Sequence, residues 1–148
     1  MKDEVLAALR DYAGGKTGAP PHVAGAVASH FLAVATPNSI ALVGSGALSL
    51  EAHRTWFSPR DVRSTIPGIG RLVTLAEALA ADIVCIQEPM TLAASQLRRG
   101  THVNALAAVT LDDDLRKLAT IHGERGLCDL AAGMIDGRQL DELTVFLR

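Results

Sequence analysis

Gly44, Gly46 and Ser49 are the residues whose types and spacing best suit chemistry on a ligand. They lie in VGSGALS, residues 43–49, directly after the apolar run 40–42. In a G-x-G-x-x-small turn the first glycine permits a tight exit from a strand. The second lets the main chain approach a pyrophosphate, and the third small residue lets the next helix lie close to the strand. The start of that helix adds free N–H groups and a partial positive charge. Gly44, Ser45, Gly46, Ala47 and Ser49 are therefore the candidate contacts for a phosphate-bearing ligand, with an apolar strand before them and a helical pattern after, as the motif requires. GGKT at 14–17 has the tail of a P-loop, but Arg10 stands where the first glycine belongs and no apolar strand precedes it.

A dinucleotide site also needs an acid roughly 20 residues beyond the glycines to read a ribose. That place holds Ser64, Thr65 and Ile66. Arg63 is a candidate to face a 2′-phosphate instead, as is Arg71; the competing reading of each is a solvated surface arginine. Asn104 is expected at the C-terminal end of a strand, where open α/β sheets bind their ligands. His30, His53, His102 and His122 show no metal-ligand spacing, so no metal site is assigned. His102 reads as a strand histidine bonded to nearby backbone. Ser45 and Ser49 lack a G-x-S-x-G elbow, Asp112, Asp113 and Asp114 read as a helix start, and no catalytic residue is assigned. Cys85 and Cys128 sit in apolar settings and read as reduced core thiols.

The elements that must position these residues alternate. Helical spacing predicts helices over 2–12, 23–35 and 47–57, with a loop at 16–21. Strands are expected at 39–44, 61–66, 71–74, 82–87, 101–109 and 120–124. A helix over 74–81 carries Thr74 as N-cap and Glu77 at the capping-box position. Residues 90–99 read as a helical turn or two, 111–119 as a short helix, and 126–137 and 138–147 as helices. Strands alternating with helices imply βαβ units and a parallel sheet. The expected class is α/β, a Rossmann-like sheet of five or six strands in one domain over 1–148, with 1–15 an N-terminal helix and 126–148 closing helices. PGIG at 67–70 leaves no room for the usual crossover of about a dozen residues, so 61–66 and 71–74 are not expected to be parallel neighbours.

With 148 residues, one core is expected. A formal charge of −2, with no basic stripe, gives no reason to expect a nucleic acid partner or an anionic membrane. No run approaches the roughly 18 apolar residues of a membrane span, and the expected setting is soluble and cytoplasmic.

Four stretches resemble the NAD(P)-binding domain of the ornithine cyclodeaminase/mu-crystallin family. They are AVASHFLA (26–33) leading into SIALVGSGALS (39–49), AEALAADIVCI (76–86), RRGTHVNALAA (98–108) and GLCDLAAGMIDGRQLDEL (126–143). The third is similar to the family's PGTHVNAVGA. The resemblance covers about 16–143 and implies a Rossmann fold with NAD or NADP as cofactor. It also implies features that this sequence departs from. Family members are roughly twice as long, with a second domain that binds substrate and forms the dimer. Their catalytic aspartate falls at Val109 here. Their Arg-Thr-Gly-Ala stretch, which helps bind a substrate carboxylate, is similar to KTGA at 16–19, where Lys16 is a point charge rather than a fork. The function expected from these departures is a stand-alone, non-catalytic Rossmann-like module that binds a partner protein, itself as a homodimer, or a dinucleotide. The alternative is a small NAD(P)-dependent oxidoreductase or cyclodeaminase-like enzyme, or the cofactor-binding half of a split enzyme.

Overall fold

The fold was taken from a computed structural model, which describes residues 1–44, 46–135 and 142–148. Helix α1 (Lys2–Ala13) buries Val5, Ala8 and Tyr12 along one stripe, with acids in its first turn and Arg10 in its last, as the helix dipole favours. Helix α2 (Pro21–Leu32) starts on a proline and is buried from Val23 to Ser29. Its small residues let it lie flat on the sheet beneath α1. It ends three residues sooner than its spacing predicts, because Ala33 is already extended.

Strand β1 (Ser39–Val43) is buried throughout and leads into α3 (Ala47–His53). Then come β2 (Asp61–Ser64), β3 (Arg71–Leu72), α4 (Leu75–Leu79) and β4 (Ile83–Ile86). The Thr74–Glu77 capping box of α4 forms as predicted, with the Glu77 N–H donating to Thr74 Oγ1 at 3.2 Å. Further on are β5 (Met90–Leu92), β6 (His102–Ala105), β7 (Val109–Leu111), α5 (Asp113–Leu118), β8 (Thr120–His122), α6 (Glu124–Ala131) and β9 (Thr144–Leu147).

The main sheet is wholly parallel, in the order β3-β2-β1-β4-β6-β9-β8. The α/β class and Rossmann-like arrangement are as expected from the alternation of elements. The sheet holds seven strands rather than five or six, because residues 144–147 are β9 and not part of a closing helix. TVFL inserts between β6 and β8 with its β-branched and aromatic residues buried, and burial on both faces removes the alternation that would have marked it as a strand. Of the closing helices only α6 is present among the described residues; positions 136–141 lie outside them. Three other expectations are corrected. Residues 90–99 form β5 and a 3-10 turn at Ala94–Gln96 instead of a helix, since Met90–Leu92 pairs with β7 in a separate two-stranded sheet. The strand expected over 101–109 is accordingly split into β6 and the start of β7. Strands β2 and β3 are parallel neighbours, Arg63 opposite Arg71 and Ser64 opposite Leu72. A strand of two residues leaves so short a return path that six residues complete the crossover.

One hydrophobic cluster, under α1, α2, α3 and α6, packs Ile40, Leu42, Ile83 and Phe146 from one face of the sheet. The other packs Ala41, Val43, Val84, Ile86 and Val103 against α4 and α5. No helix among the described residues is long and apolar enough to cross a membrane.

Candidate functional site

Strand order reverses between β1 and β4, whose neighbours run outward in opposite directions. Loops at the carboxyl ends of two such strands diverge and leave a crevice where ligands of open α/β sheets bind. The glycine turn follows β1 on one side of it, and Gln87 and Glu88 follow β4 on the other.

Local sterics fix the turn. Gly44 has φ +86°, and a Cβ there would lie 3.2 Å from the Cβ of Glu88. At Gly46 the backbone is extended, but a Cβ would meet the Cβ of Leu42 at 2.8 Å. Only hydrogen lets α3 start so close to β1. Gly46 offers no side-chain cap, and the first helical bond runs from the Leu50 N–H to the Gly46 carbonyl. The N–H groups of Ala47 and Leu48 therefore have no partner within the helix. Ser49 is buried, and its hydroxyl donates to Gln87 Oε1 at 2.9 Å, tying α3 to the end of β4. The Gly44 N–H donates to Thr65 Oγ1 at 3.1 Å, which ties the turn to the end of β2. The cavity left over is about 190 Å³, lined by Gly46, Ala47, Leu48, Ile69 and Gln87. A larger one, about 420 Å³, lies between α1 and the 16–20 loop, away from the switch point that places ligands in this architecture.

Of the sequence-predicted residues, Gly44, Gly46, Ala47 and Ser49 come together at the crevice; Ser45 lies outside the described residues. Arg63 points to α4, donating to Asp61 at 2.9 Å and to the Glu77 carbonyl at 2.7 Å. Arg71 is tied to the same Asp61, whose carboxyl is held below its usual range by hydrogen bonds from Arg63 and Arg71. The end of β2 carries no carboxylate, and the Ser64 hydroxyl is engaged with the backbone of Ile66. Val109 is a buried core residue on β7. Lys16 lines the α1 cavity, in a loop held by Glu124, which accepts the Gly18 N–H at 2.8 Å and pairs with Arg148 at 3.0 Å.

Asn104 sits behind the turn, fully buried in a polar chain with two histidines. The chain can be oriented from one fixed end. A carbonyl only accepts, so His53 Nδ1 carries the proton that reaches the Ser49 carbonyl at 2.7 Å. Burial pushes the His53 pKa down to about 4, so the ring is neutral and Nε2 accepts from the Ser29 hydroxyl at 2.7 Å. Ser29 Oγ accepts from Asn104 Nδ2 at 2.9 Å, and Asn104 Oδ1 accepts from His102 Nε2 at 2.7 Å. Burial holds His102 down to about 3, and its Nδ1 accepts from the Thr144 hydroxyl at 2.8 Å. The other Asn104 N–H points to Cys85 Sγ at 3.6 Å, a thiol that burial pushes up to about 12. Each polar atom in this chain is matched, as a dry interior demands. It positions α3 and leaves Asn104 no free group for a ligand. No group of side chains that could hold a metal occurs among the described residues.

Sequence reasoning missed Gln87, Glu88 and the partnering role of Thr65. The signal was present for the first two, since they follow the strand that must lie beside β1 in a 3-2-1-4 order. It also missed that His102 bonds side chains rather than backbone; nothing in the spacing of Ser29, His53, Asn104 and Thr144 groups them.

The residues fit the phosphate portion of a dinucleotide: two glycines at which a Cβ would crowd Glu88 or Leu42, and N–H groups at the start of α3 with no partner among the described residues. They supply no carboxylate for the adenine ribose. Neither a protein-family model nor a curated protein matches the chain. Solved structures do match. An archaeal alanine dehydrogenase dimer with bound NAD superposes with a TM-score of 0.70 at 20% identity, covering 85% of this chain and 56% of its own. The Thermococcus litoralis Δ1-pyrroline-2-carboxylate reductase, in complex with NADH and L-proline, gives 0.67 at 17%, covering 86% and 58%. A probable ornithine cyclodeaminase from Bordetella pertussis Tohama I gives 0.67 at 18%, covering 85% and 58%. The chain spans little more than half the length of these proteins. Its fold is the one they share over that half, a Rossmann-like fold.

Proposed function

We propose that this chain is a dinucleotide-binding module, with NAD or NADP as ligand, that performs no chemistry by itself. The observation that carries the reading is the uncapped first turn of α3 at the switch point, set against β1 by a glycine whose Cβ would collide with Leu42. Neighbours of the same fold were solved with NAD or NADH. When bound, such a cofactor supplies hydride transfer. The Ala47 and Leu48 N–H groups would hold the pyrophosphate, and Leu48 and Ile69 would pack against an apolar part of the cofactor. Support for the non-catalytic part of the reading comes from the cavity lining of Gly46, Ala47, Leu48, Ile69 and Gln87, none of them titratable, with Glu88 standing beside the turn as a lone exposed carboxylate among the described residues. The buried histidines and Cys85 are neutral and committed to one another. A second reading is the cofactor half of an oxidoreductase completed by further protein; it rests on the 56–58% of the matched chains that this one spans.

Titration with NAD⁺, NADH, NADP⁺ and NADPH, by calorimetry and by thermal shift, tests the reading. Micromolar binding of at least one, lost in Gly46→Asp, is the expected result. No response to any of the four at millimolar concentration would overturn it.

A further inference from the structure

The side chain that faces the glycine turn from β4 is an acid. Glu88 has its Cβ 3.2 Å and its Cγ 3.4 Å from where a Cβ on Gly44 would stand. It is exposed, and no ion pair or hydrogen bond holds its carboxylate among the described residues. No basic residue lines the crevice, and Arg63 and Arg71 are committed to Asp61. A pyrophosphate laid along the turn thus meets main-chain donors on one side and an uncompensated negative charge on the other.

We infer that Glu88 is the specificity-determining residue of this crevice, lowering affinity in proportion to the negative charge a ligand brings over Gly44. The inference rests on the dinucleotide reading above. It also identifies the ligands the crevice favours: nucleotides with the least charge at the turn. Two unit charges about 6 Å apart, across effective dielectrics from about 80 to about 30, change a binding constant by roughly threefold to twentyfold. An exposed charge of this kind is screened by salt.

The test is calorimetric titration of NADH and of adenosine into the full chain, its Glu88→Gln and Glu88→Ala variants, and Asp3→Asn on α1 as a control for net charge. At low salt both Glu88 variants should bind NADH roughly threefold to twentyfold tighter than the parent chain. The gain should shrink in high salt and be absent for Asp3→Asn and for adenosine. If the parent chain binds NADH and the Glu88 variants bind it equally or more weakly, the inference is wrong and the dinucleotide reading stands. An equal gain in Asp3→Asn also overturns it, because the effect is then one of net charge. If no protein binds NADH at any salt, the inference is overturned, and the dinucleotide reading falls with it only where NAD⁺, NADP⁺ and NADPH also give no response.

Discussion

Acid should unfold this protein through His53 and His102, by an amount that follows from their burial. Each ring is neutral in the folded chain, its pKa brought down from 6.5 to about 4 for His53 and about 3 for His102, chiefly by desolvation. In the unfolded chain both regain a value near 6.5. Between pH 6.5 and the folded values the unfolded state therefore holds protons that the folded state refuses, and stability falls as pH falls. The loss begins near pH 6.5 and is complete only below about 3. At pH 5 each histidine has removed about 2 kcal/mol relative to pH 7, so the pair removes about 4 kcal/mol, with a local slope of about 2–3 kcal/mol per pH unit. Domains of this size are stable by roughly 5–15 kcal/mol, so the loss is a large part of the total. His122, also lowered by burial, acts in the same direction. Urea denaturation followed by far-ultraviolet circular dichroism at pH 7, 6 and 5 measures the slope. His102→Gln, which keeps a donor toward Asn104 and removes one titration, should flatten it by about half. A stability that does not change between pH 6.5 and 5 would refute both the dryness of the two rings and the proton assignment along the buried chain.

Three further outcomes follow from single contacts. Gly46→Ala forces a methyl against Leu42 and should cost about 1–3 kcal/mol in denaturant unfolding; an unchanged midpoint would show that α3 can retreat from β1. Ser29→Ala leaves His53 Nε2 without its hydroxyl donor and should cost about 1–3 kcal/mol by the same measurement, whereas Ser29→Thr, which keeps the hydroxyl, should retain part of it. Thr74→Ala removes the capping box of α4 and should cost about 1 kcal/mol, read as a small shift in the thermal midpoint; no shift would mean that α4 is held by Ala78 and Leu79 alone.

What could be read from the sequence divides along physical lines. Strand β1, the glycine turn and the Thr74 cap were legible because each is decided within a few residues, by hydrophobic run length, by backbone sterics or by one side-chain bond. TVFL at 144–147 was not. An apolar run of that length suits a buried strand or a helix equally, and only the vacancy between β6 and β8 decides between them. Asn104 was correctly placed on a strand yet drawn to a ligand. Its true partners, Ser29 and His102, lie on another helix and on its own strand, and long-range polar matching leaves no spacing to read. Arg63 was a similar case: Asp61, two positions away on the same strand face, claims it first.

The place of β9 has a consequence for the order of events as the chain is made. Among the described residues strand β8 pairs with β9 alone, and β9 comes after it in the chain. At roughly 5–20 residues per second, a ribosome makes β8 seconds before the partner that holds it. The same four residues bring Thr144, the hydroxyl that closes the buried chain at His102. Until they emerge, the nascent protein carries an open edge at β6 and a histidine lacking its last donor. Vectorial synthesis therefore leaves the sheet's far half, and the match of its buried polar groups, to a single late insertion.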